Sequence, residues 1–300
     1  MPRQSYAAGH FLLSLDGTLA RIEKLAGGSI RGEVSIFRTG SESLAIKRIS
    51  AIRYEPFRLA VGMAMGQPLY DWIKAALGAA PVSKNGSVAL ANARDKADAY
   101  RHFRDALIEE ITFPGLDASS KETALFTIKL SPEQITYAAG DGASLKPTVN
   151  AKQKKWLCSN FRFRLAGLED ACKRVAKIDS FTVKQSIVEI AAGGSGIRTK
   201  HPTTLEIPNL RVTFSAADAK PWLDWFDDFV IKGNTGPGKE RNGTIEFLDP
   251  SHKVTLGTVN LVRCGIFSLD LESLGAHRNA GPRYAAELYV QGMQVDLKNV

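Results

Sequence analysis

The sequence has few of the residues that form disulfides, bind metals or carry nucleophilic catalysis. Among its 300 residues are three cysteines and five histidines. The cysteines are odd in number and have no metal-like spacing, which predicts a reduced, cytoplasmic chain without a disulfide framework. No histidine forms a metal-binding pair in sequence with another histidine or a cysteine, so no metal site is expected. These residues are Cys158, Cys172, Cys264, His10, His102, His201, His252 and His277.

Long apolar runs are also missing. The hydrophobic fraction is 44%, yet no run approaches the about 18 apolar residues of a membrane span, so no membrane association is predicted. The apolar patch FLLSL near the start is short and is followed by Asp16, so we expect no signal peptide. The remaining composition, with 23% charged residues, is typical of a globular protein.

No segment has the residue order of a catalytic site. The glycine-rich stretch GNTGPGKER at 233–241 lacks the GxxxxGK[ST] order of a phosphate loop, because glutamate follows its lysine. The acidic pairs Glu109–Glu110 and Asp227–Asp228 are sequence neighbours whose side chains point apart, so neither pair can work jointly as acid and base. The sequence therefore predicts neither an enzyme nor a cofactor.

Positive charge is in excess but is not concentrated. The net charge is +8, with 18 basic and 15 acidic residues in 1–150 and 21 basic and 16 acidic in 151–300. A nucleic-acid site would more often concentrate its charge in one run or face. The densest cluster is interpreted as a solvated linker beside a strand. It comprises Lys152, Lys154, Lys155, Arg162 and Arg164.

The sequence does contain one motif in two copies, which we call the helix phrase. PLYDWIKAAL at 68–77 and PWLDWFDDFV at 221–230 share Pro, Asp and Trp at the same positions. Upstream, FLLSLDG at 11–17 matches FRFRLAG at 161–167, and downstream NGSVALAN at 85–92 matches NGTIEFLD. Matching segments in the same order indicate an internal duplication. Each Asn-Gly pair predicts a tight turn after the helix, before the strand that follows.

The duplication predicts a mainly β chain with some α structure and two tandem domains. Each half has the order strand, strand, strand, helix, strand, strand, strand, which predicts two small β-barrels or sandwiches, each with one flanking helix. The domains are predicted at 1–145 and 156–300, joined by a linker at 146–155. The stretch AAGDGASLKPTVNAKQKK, at 138–155, has the composition of a solvated connector.

The helix phrase supplies the candidate interface residues, which are Pro68, Asp71, Trp72, Pro221, Asp224 and Trp225. Proline suits the first turn of a helix, where its missing N–H is not needed. The tryptophans fall on an apolar stripe with i, i+3, i+4, i+7 spacing, and the aspartates are expected early in the helix, where they favour the macrodipole. Core packing and capping alone would explain these residues. The functional alternative is that part of this helix also contacts a neighbouring subunit.

Each half resembles the tube domain of phage tail tube proteins and of the Hcp proteins of type VI secretion. The resemblance rests on FLLSLDG with LAGG in the first half, and in both halves on the strand, the Pro-x-x-Asp-Trp helix, the Asn-Gly strand and the closing pair of strands. It implies a small barrel or sandwich whose copies form sixfold rings that stack into a hollow tube. The segments at 36–50 and 186–204 would correspond to a long hairpin or loop that reaches an adjacent ring, with a mobile surface loop as the alternative.

The resemblance departs from single-domain tubes because this chain carries two domains. Three copies would then form a pseudo-sixfold ring, as a structural tail tube subunit of a phage or a contractile injection system. The implied partners are further copies, sheath and baseplate proteins, and DNA or protein cargo in the lumen. The implied location is the virion tail or injection-system particle, assembled in the bacterial cytoplasm.

Two other functions stay open at this point. A baseplate hub or tube initiator of the same apparatus would also carry two tube domains. A nucleic-acid-binding protein built on tandem β-barrels would use the net positive charge and would stack bases on Trp72 and Trp225.

Overall fold

Strands make up most of the chain. The structure, a computed structural model, describes residues 9–38, 45–78, 81–148, 156–191, 198–272 and 281–297. The prediction of a mainly β chain with some α structure in two tandem repeats is confirmed.

The first half has its helix in the middle of the strand order, as predicted. Within its described residues, β1 to β6 precede α1 (Gln67–Ala76) and β7 to β11 follow it. The strands are β1 (His10–Leu15), β2 (Thr18–Ile22), β3 (Lys24–Gly27), β4 (Ile30–Phe37), β5 (Ile46–Tyr54), β6 (Phe57–Val61), β7 (Lys84–Ala91), β8 (Ala97–Phe113), β9 (Leu116–Asp117), β10 (Phe126–Ser131) and β11 (Gln134–Ala139).

The second half repeats this plan with fewer, longer strands. A 3-10 turn at Ala216–Asp218 leads into its main helix, α3, which continues as a π-helical turn at Asp227–Ile231. The elements are β12 (Phe161–Leu165), α2 (Glu169–Cys172), β13 (Val175–Ile178), β14 (Phe181–Ala191), β15 (Arg198–Glu206), β16 (Leu210–Ser215), α3 (Lys220–Phe226), β17 (Arg241–Leu248), β18 (Thr255–Glu272) and β19 (Arg283–Leu297).

The order of paired strands is the same in both halves. In the first half β1, β7, β8, β10, β6 and β3 are neighbours in that order, and in the second β12, β17, β18, β19, β16 and β13 are. The helix follows the corresponding strand each time, α1 after β6 and α3 after β16. The one strand β19 replaces β10 and β11, which both pair with β8. The duplicated phrase therefore belongs to a duplicated topology.

Each half also carries a long antiparallel hairpin before its helix. These hairpins are β4–β5 and β14–β15, so both segments left open as hairpin or loop are hairpins. Residues 39–44 and 192–197, between the paired strands, lie outside the described residues. The hairpins differ in one respect. The strands β4 and β5 form a sheet of two, whereas β14 also pairs with β8 of the first half.

The Asn-Gly prediction is wrong in both halves, because each pair lies inside a strand at a bulge. Asn85 and Gly86 are in β7, and Asn242 and Gly243 are in β17, where the register with the next strand shifts. The glycines are needed for close packing: a Cβ on Gly243 would lie 2.6 Å from the Arg164 carbonyl oxygen. Glycine inside a strand often marks a bulge or a close backbone approach, which competes with its use in turns.

The two halves share one continuous hydrophobic core. Aromatic rings from both halves meet where the halves join. The Trp156 and Phe247 ring centroids are 4.5 Å apart, and those of Phe126 and Trp156 are 5.3 Å apart. Helix α1 packs against β8 of its own half and against β19 of the other. Relative to the exposed state, each buried aromatic of this kind contributes about 1.5–3 kcal/mol, so the junction is a packed core rather than a loose contact.

The expectation of a solvated connector at 138–155 is wrong for its first part. The Leu145 side chain is buried against β1 and β7, where it packs with Leu12 and Ala89. Further along, the Thr148 hydroxyl accepts a 2.9 Å hydrogen bond from the Leu19 backbone N–H. Small polar composition does not exclude packing when one large apolar side chain is present. Residues 149–155 lie outside the described residues.

Candidate assembly surface

The duplicated tryptophans lie in the core. The Trp72 side chain is 0% exposed, and its indole N–H donates a 2.9 Å hydrogen bond to the Val82 carbonyl oxygen. The Trp225 side chain is 4% exposed, with the Arg241 guanidinium 5.0 Å from its ring centroid. These rings are covered by protein, so they offer no face on which a nucleic-acid base could stack.

The duplicated aspartates do not have the predicted electrostatic role. Each is the fifth residue of its helix, and neither helix has an acidic residue in its first turn. Instead, Asp71 accepts a 2.8 Å hydrogen bond from the Gln67 amide, and Asp224 forms a 2.8 Å ion pair with Lys220. The macrodipole effect falls off within the first turn, so these i, i+4 contacts replace it. Both carboxylates are exposed, and their contact with a neighbouring subunit stays a prediction.

The duplicated prolines lie where the sequence predicts. Pro68 and Pro221 each occupy the first or second position of their helix. Pro68 is half-buried and Pro221 is exposed. Their role at an interface is likewise a prediction.

The junction between the halves is a strand pairing. The start of β14 adds to the C-terminal end of β8 in antiparallel register, with Thr182 opposite Thr112. The two threonine Oγ1 atoms are 2.8 Å apart, and the rings of Phe113 and Phe181 stack with centroids 4.6 Å apart. One half of the chain therefore recognises the other through backbone pairing together with apolar contact.

An ion-pair network lies beside this junction. The Lys129 ammonium is 3.1 Å from a Glu110 oxygen, and the same carboxylate group is 3.4 Å from Arg58. Burial opposes the charged form of Lys129, but hydrogen bonds to Glu109 and Glu110 outweigh it and raise the pKa of the lysine. The opposite charges of the network therefore offset one another beside the junction.

A charged hollow separates the two hairpins. Its volume is about 1090 Å³, and both hairpins contribute to its walls together with β8 and β10. Most of the residues that line it are arginine, lysine, aspartate or glutamate. Among these are Arg31, Glu33, Arg53, Lys184, Glu189 and Lys200. Small-molecule pockets are mostly apolar, so this hollow does not resemble one.

The β4–β5 hairpin exposes apolar side chains on both strands. Exposure ranges from 36% at Ile30 to 72% at Ile49. The group consists of Ile30, Val34, Ile36, Phe37, Ile46, Ile49 and Ile52. Because directly paired residues share a face, Phe37 and Ile46 lie on one face of the hairpin and the other five side chains lie on the opposite face. Exposed apolar patches mark interaction sites. This surface was not predicted, although the repeated isoleucines of 46–52 are its signal in the sequence.

The C-terminal end of β18 is a second unpartnered feature. Among the described strands, Ser268–Glu272 pairs with β19 alone, because β17 ends its pairing at Cys264. Leu271 is 60% exposed at this edge and Phe267 is 39% exposed. An open edge with apolar side chains favours strand addition. The alternation of 259–273 predicts a strand, but sequence periodicity carries no information about which edge stays open.

Within the described ranges, no cluster of acidic, cysteine and histidine side chains has the arrangement of a metal site. The three cysteines are buried and unpaired. None of the described helices has the length and apolarity needed to cross a membrane.

The fold and these surfaces define a duplicated β protein with open strand edges. The chain belongs to the T4-like virus tail tube protein gp19 family, whose model matches it twice, at residues 7–136 and 159–294. These two matches together cover most of the chain and coincide with its two repeats. No curated protein compared with the chain matches it.

Several solved structures are similar to one half of the chain. The sheath-tube complex of the PVC extracellular contractile injection system has a chain 20% identical over 46% of this chain and 93% of its own, with a TM-score of 0.40. The anti-feeding prophage tube-terminating cap has a chain that is 20% identical over 46% of this chain and 94% of its own, with a TM-score of 0.41. Hcp1 from Flavobacterium johnsoniae is 8% identical over 46% of this chain and 95% of its own, with a TM-score of 0.28.

Proposed function

We propose that this protein is a structural subunit of a hollow tail tube, in a phage tail or a phage-derived contractile injection system. Three copies form a ring of six tube repeats, and rings stack into the tube. The observation that carries the proposal is the twofold match to a tail tube family, on repeats with the same strand order. The units are residues 1–145 and 156–300, joined by 146–155.

The junction between the halves supports a ring. One repeat adds a strand to the next and shares an aromatic core with it, so repeats in one chain already associate side by side. Contacts that join unlike surfaces of identical subunits close into rings when the rotation permits. Closure also removes the open strand edges that would otherwise aggregate.

The β4–β5 hairpin supports the stacking of rings. Its apolar side chains are unpartnered within the described residues of one chain, and the corresponding segment of the related tubes is implied to reach an adjacent ring. Sheath and baseplate proteins are the further partners, with DNA or protein cargo in the lumen. The location is the assembled particle, with assembly in the bacterial cytoplasm.

A baseplate hub or tube initiator is the second candidate. The same observation favours it, because two tube repeats in one chain match a sixfold tube to a threefold spike. The two candidates differ in whether rings polymerise by themselves.

Negative-stain electron microscopy across a concentration series tests the proposal. A tube subunit is expected to give rings with a central hole that stack into tubes as concentration rises. Rings that never stack would favour the hub or initiator. Particles without a central hole at every concentration would contradict both candidates, and a salt-dependent DNA-binding titration would then test the nucleic-acid alternative.

A further inference from the structure

The contact between the two halves is a template for the contact between two chains. Strand β8 takes β14 on the side that faces away from β10, so Ile111 and Val183 lie opposite each other and are both 2% exposed. In a ring built of repeats, the second half of one chain meets the first half of the next. The corresponding strands are β18 and β4.

Two irregularities fix which residues of β8 and β18 correspond. Asp105 and Arg263 both have positive φ, 47° and 52°, and the backbone N–H of each donates a hydrogen bond to the side-chain oxygen of the bulge asparagine in the preceding strand. A second bulge follows in both strands, after Ile108 and after Ile266. With these features aligned, the counterparts of Ile111, Thr112 and Phe113 are Leu269, Asp270 and Leu271.

The hairpins align in the same way. Arg31 opposite Arg53 in β4–β5 corresponds to Lys184 opposite Glu206 in β14–β15, because Arg53 and Glu206 each lie four residues before the start of the following strand, β6 or β16. The first residues of β6 and β16 are themselves equivalent, since they connect through β10 and β19 to Ile108 and Ile266. The counterparts of Thr182, Val183 and Lys184 are therefore Ser29, Ile30 and Arg31.

Side chains of β8 and β14 that are buried by their mutual pairing have exposed counterparts in β18 and β4, which lack such a partner among the described strands of one chain. Burial along β8 and β18 is alike at positions 105–108 and 263–266, but then diverges. Phe113 is 1% exposed and its counterpart Leu271 is 60% exposed. Val183 is 2% exposed and its counterpart Ile30 is 36% exposed.

A side chain currently occupies the edge of β4. The Ser29 carbonyl accepts from Glu55 on the β5 side, so the adjoining Ile30 N–H points away from β5. This N–H donates a 3.0 Å hydrogen bond to the Tyr137 hydroxyl. Tyr137 is 56% exposed, so its hydroxyl can give way to a strand carbonyl at little cost.

We propose that β4 of one chain adds to the free edge of β18 of a second copy, with Ser29 opposite Asp270, Ile30 opposite Leu269 and Arg31 opposite Ser268. The proposal rests on the proposed function and specifies the contact that closes the ring. The Ile30 N–H then donates to the Leu269 carbonyl in place of Tyr137. The Ser29 hydroxyl donates to the Asp270 carboxylate, where the template has two threonines in contact.

One difference between the proposed β4–β18 contact and the β8–β14 contact affects how stable the contact between chains is. The counterpart of Phe181 is Gly28, whose φ is 68° and where a Cβ would lie 2.1 Å from the Phe57 ring. The stacked pair of the template therefore has no equivalent between chains. The contact between chains is expected to be weaker than the one within a chain, so each chain folds before the ring closes.

Cysteine cross-linking tests the register. Residues directly opposite in antiparallel strands have Cα atoms about 4.5–5.5 Å apart, within the range that a disulfide spans. The double variant Ser29→Cys with Asp270→Cys is expected to give covalent dimers and trimers after mild oxidation, which reductant reverses. Thr112→Cys with Thr182→Cys is the matched control, which should close within one chain and give no larger species.

The off-register variant Ser29→Cys with Glu272→Cys should cross-link far less. Equal or better cross-linking by that variant would overturn the register. Rings seen by electron microscopy without any cross-link at 29 and 270, while the control pair closes, would overturn the strand pairing and leave the proposed function standing. Absence of both rings and intermolecular cross-links would overturn both.

Discussion

Asn85 and Asn242 make equivalent side-chain hydrogen bonds to the backbone in the two halves. Each side-chain oxygen accepts a hydrogen bond from the backbone N–H of a residue with positive φ, Asp105 at 2.8 Å and Arg263 at 3.0 Å. Left-handed backbone costs free energy for residues other than glycine, so the bond offsets local strain. The Asn-Gly pairs are thus strand bulges with a side-chain anchor.

We expect Asn242→Ala to lower the free energy of unfolding by about 1 kcal/mol, because the Arg263 N–H loses its partner. Asn85→Ala should cost a similar amount in the first half. Urea unfolding monitored by tryptophan fluorescence measures both. Asn242→Asp retains the accepting oxygen and is the control. An unchanged midpoint for both alanine variants would contradict the anchoring role.

In the helix phrase a core residue and a surface residue are neighbours: Trp72 is buried and Asp71 is exposed. Trp72→Ala is expected to lower the free energy of unfolding by about 3–5 kcal/mol, since a fully buried indole leaves a cavity. Asp71→Asn is expected to change it by less than about 0.5 kcal/mol, because the exposed carboxylate bonds only within the helix. Loss of rings in Asp71→Asn, at unchanged stability, would show instead that this helix face contacts a neighbouring subunit.

The buried thiols give stability a pH dependence. Burial raises the pKa of Cys172 and of Cys264 to about 12, whereas a thiol in the unfolded chain titrates near its ordinary value of 9.0. Above pH 9 the unfolded state loses protons that the folded state retains, so the stability present below pH 9 falls as pH rises toward 12. Urea midpoints at pH 8 and pH 10 should therefore differ. The double variant Cys172→Ala with Cys264→Ala should show a smaller difference, and an equal one would contradict the assignment to these thiols.

At the scale of elements, the two hairpins have the same plan and different surroundings. The β14 strand is held by β8, and β4 has only β5 among the described strands. The order of strands and helix, and the duplication, could be predicted from the sequence because period-two alternation and the Pro-x-x-Asp-Trp phrase are local signals. The pairing of β14 with β8 could not, because it joins residues about seventy positions apart in a register set by the packing of Phe181 on Phe113.

The middle of the β4–β5 hairpin, where Ile49 lies opposite Val34, can be tested apart from its base. Ile49 is 72% exposed, so Ile49→Lys is expected to leave stability unchanged while removing apolar area from the surface proposed to reach an adjacent ring. Electron microscopy should then show rings that no longer stack. Val82→Lys is the control, because Val82 is 44% exposed and lies outside the hairpin. Normal tubes from Ile49→Lys would exclude this residue from the stacking contact.

At the scale of the whole molecule, the two halves share one hydrophobic core. In the proposed ring they would be neighbouring segments, and one further contact per chain would close it. We expect the smallest closed species to be a trimer of about 98 kDa, three times the 32.6 kDa chain, by native mass spectrometry. Leu271→Lys should shift it toward the monomer, because a charge at this 60% exposed edge must be desolvated when β4 adds to it. Val254→Lys, at a position 38% exposed and away from the edge, should retain the trimer. A hexamer of chains as the smallest ring would contradict two repeats per chain acting as neighbouring segments, whereas a Leu271→Lys trimer of undiminished stability would place the closing contact elsewhere.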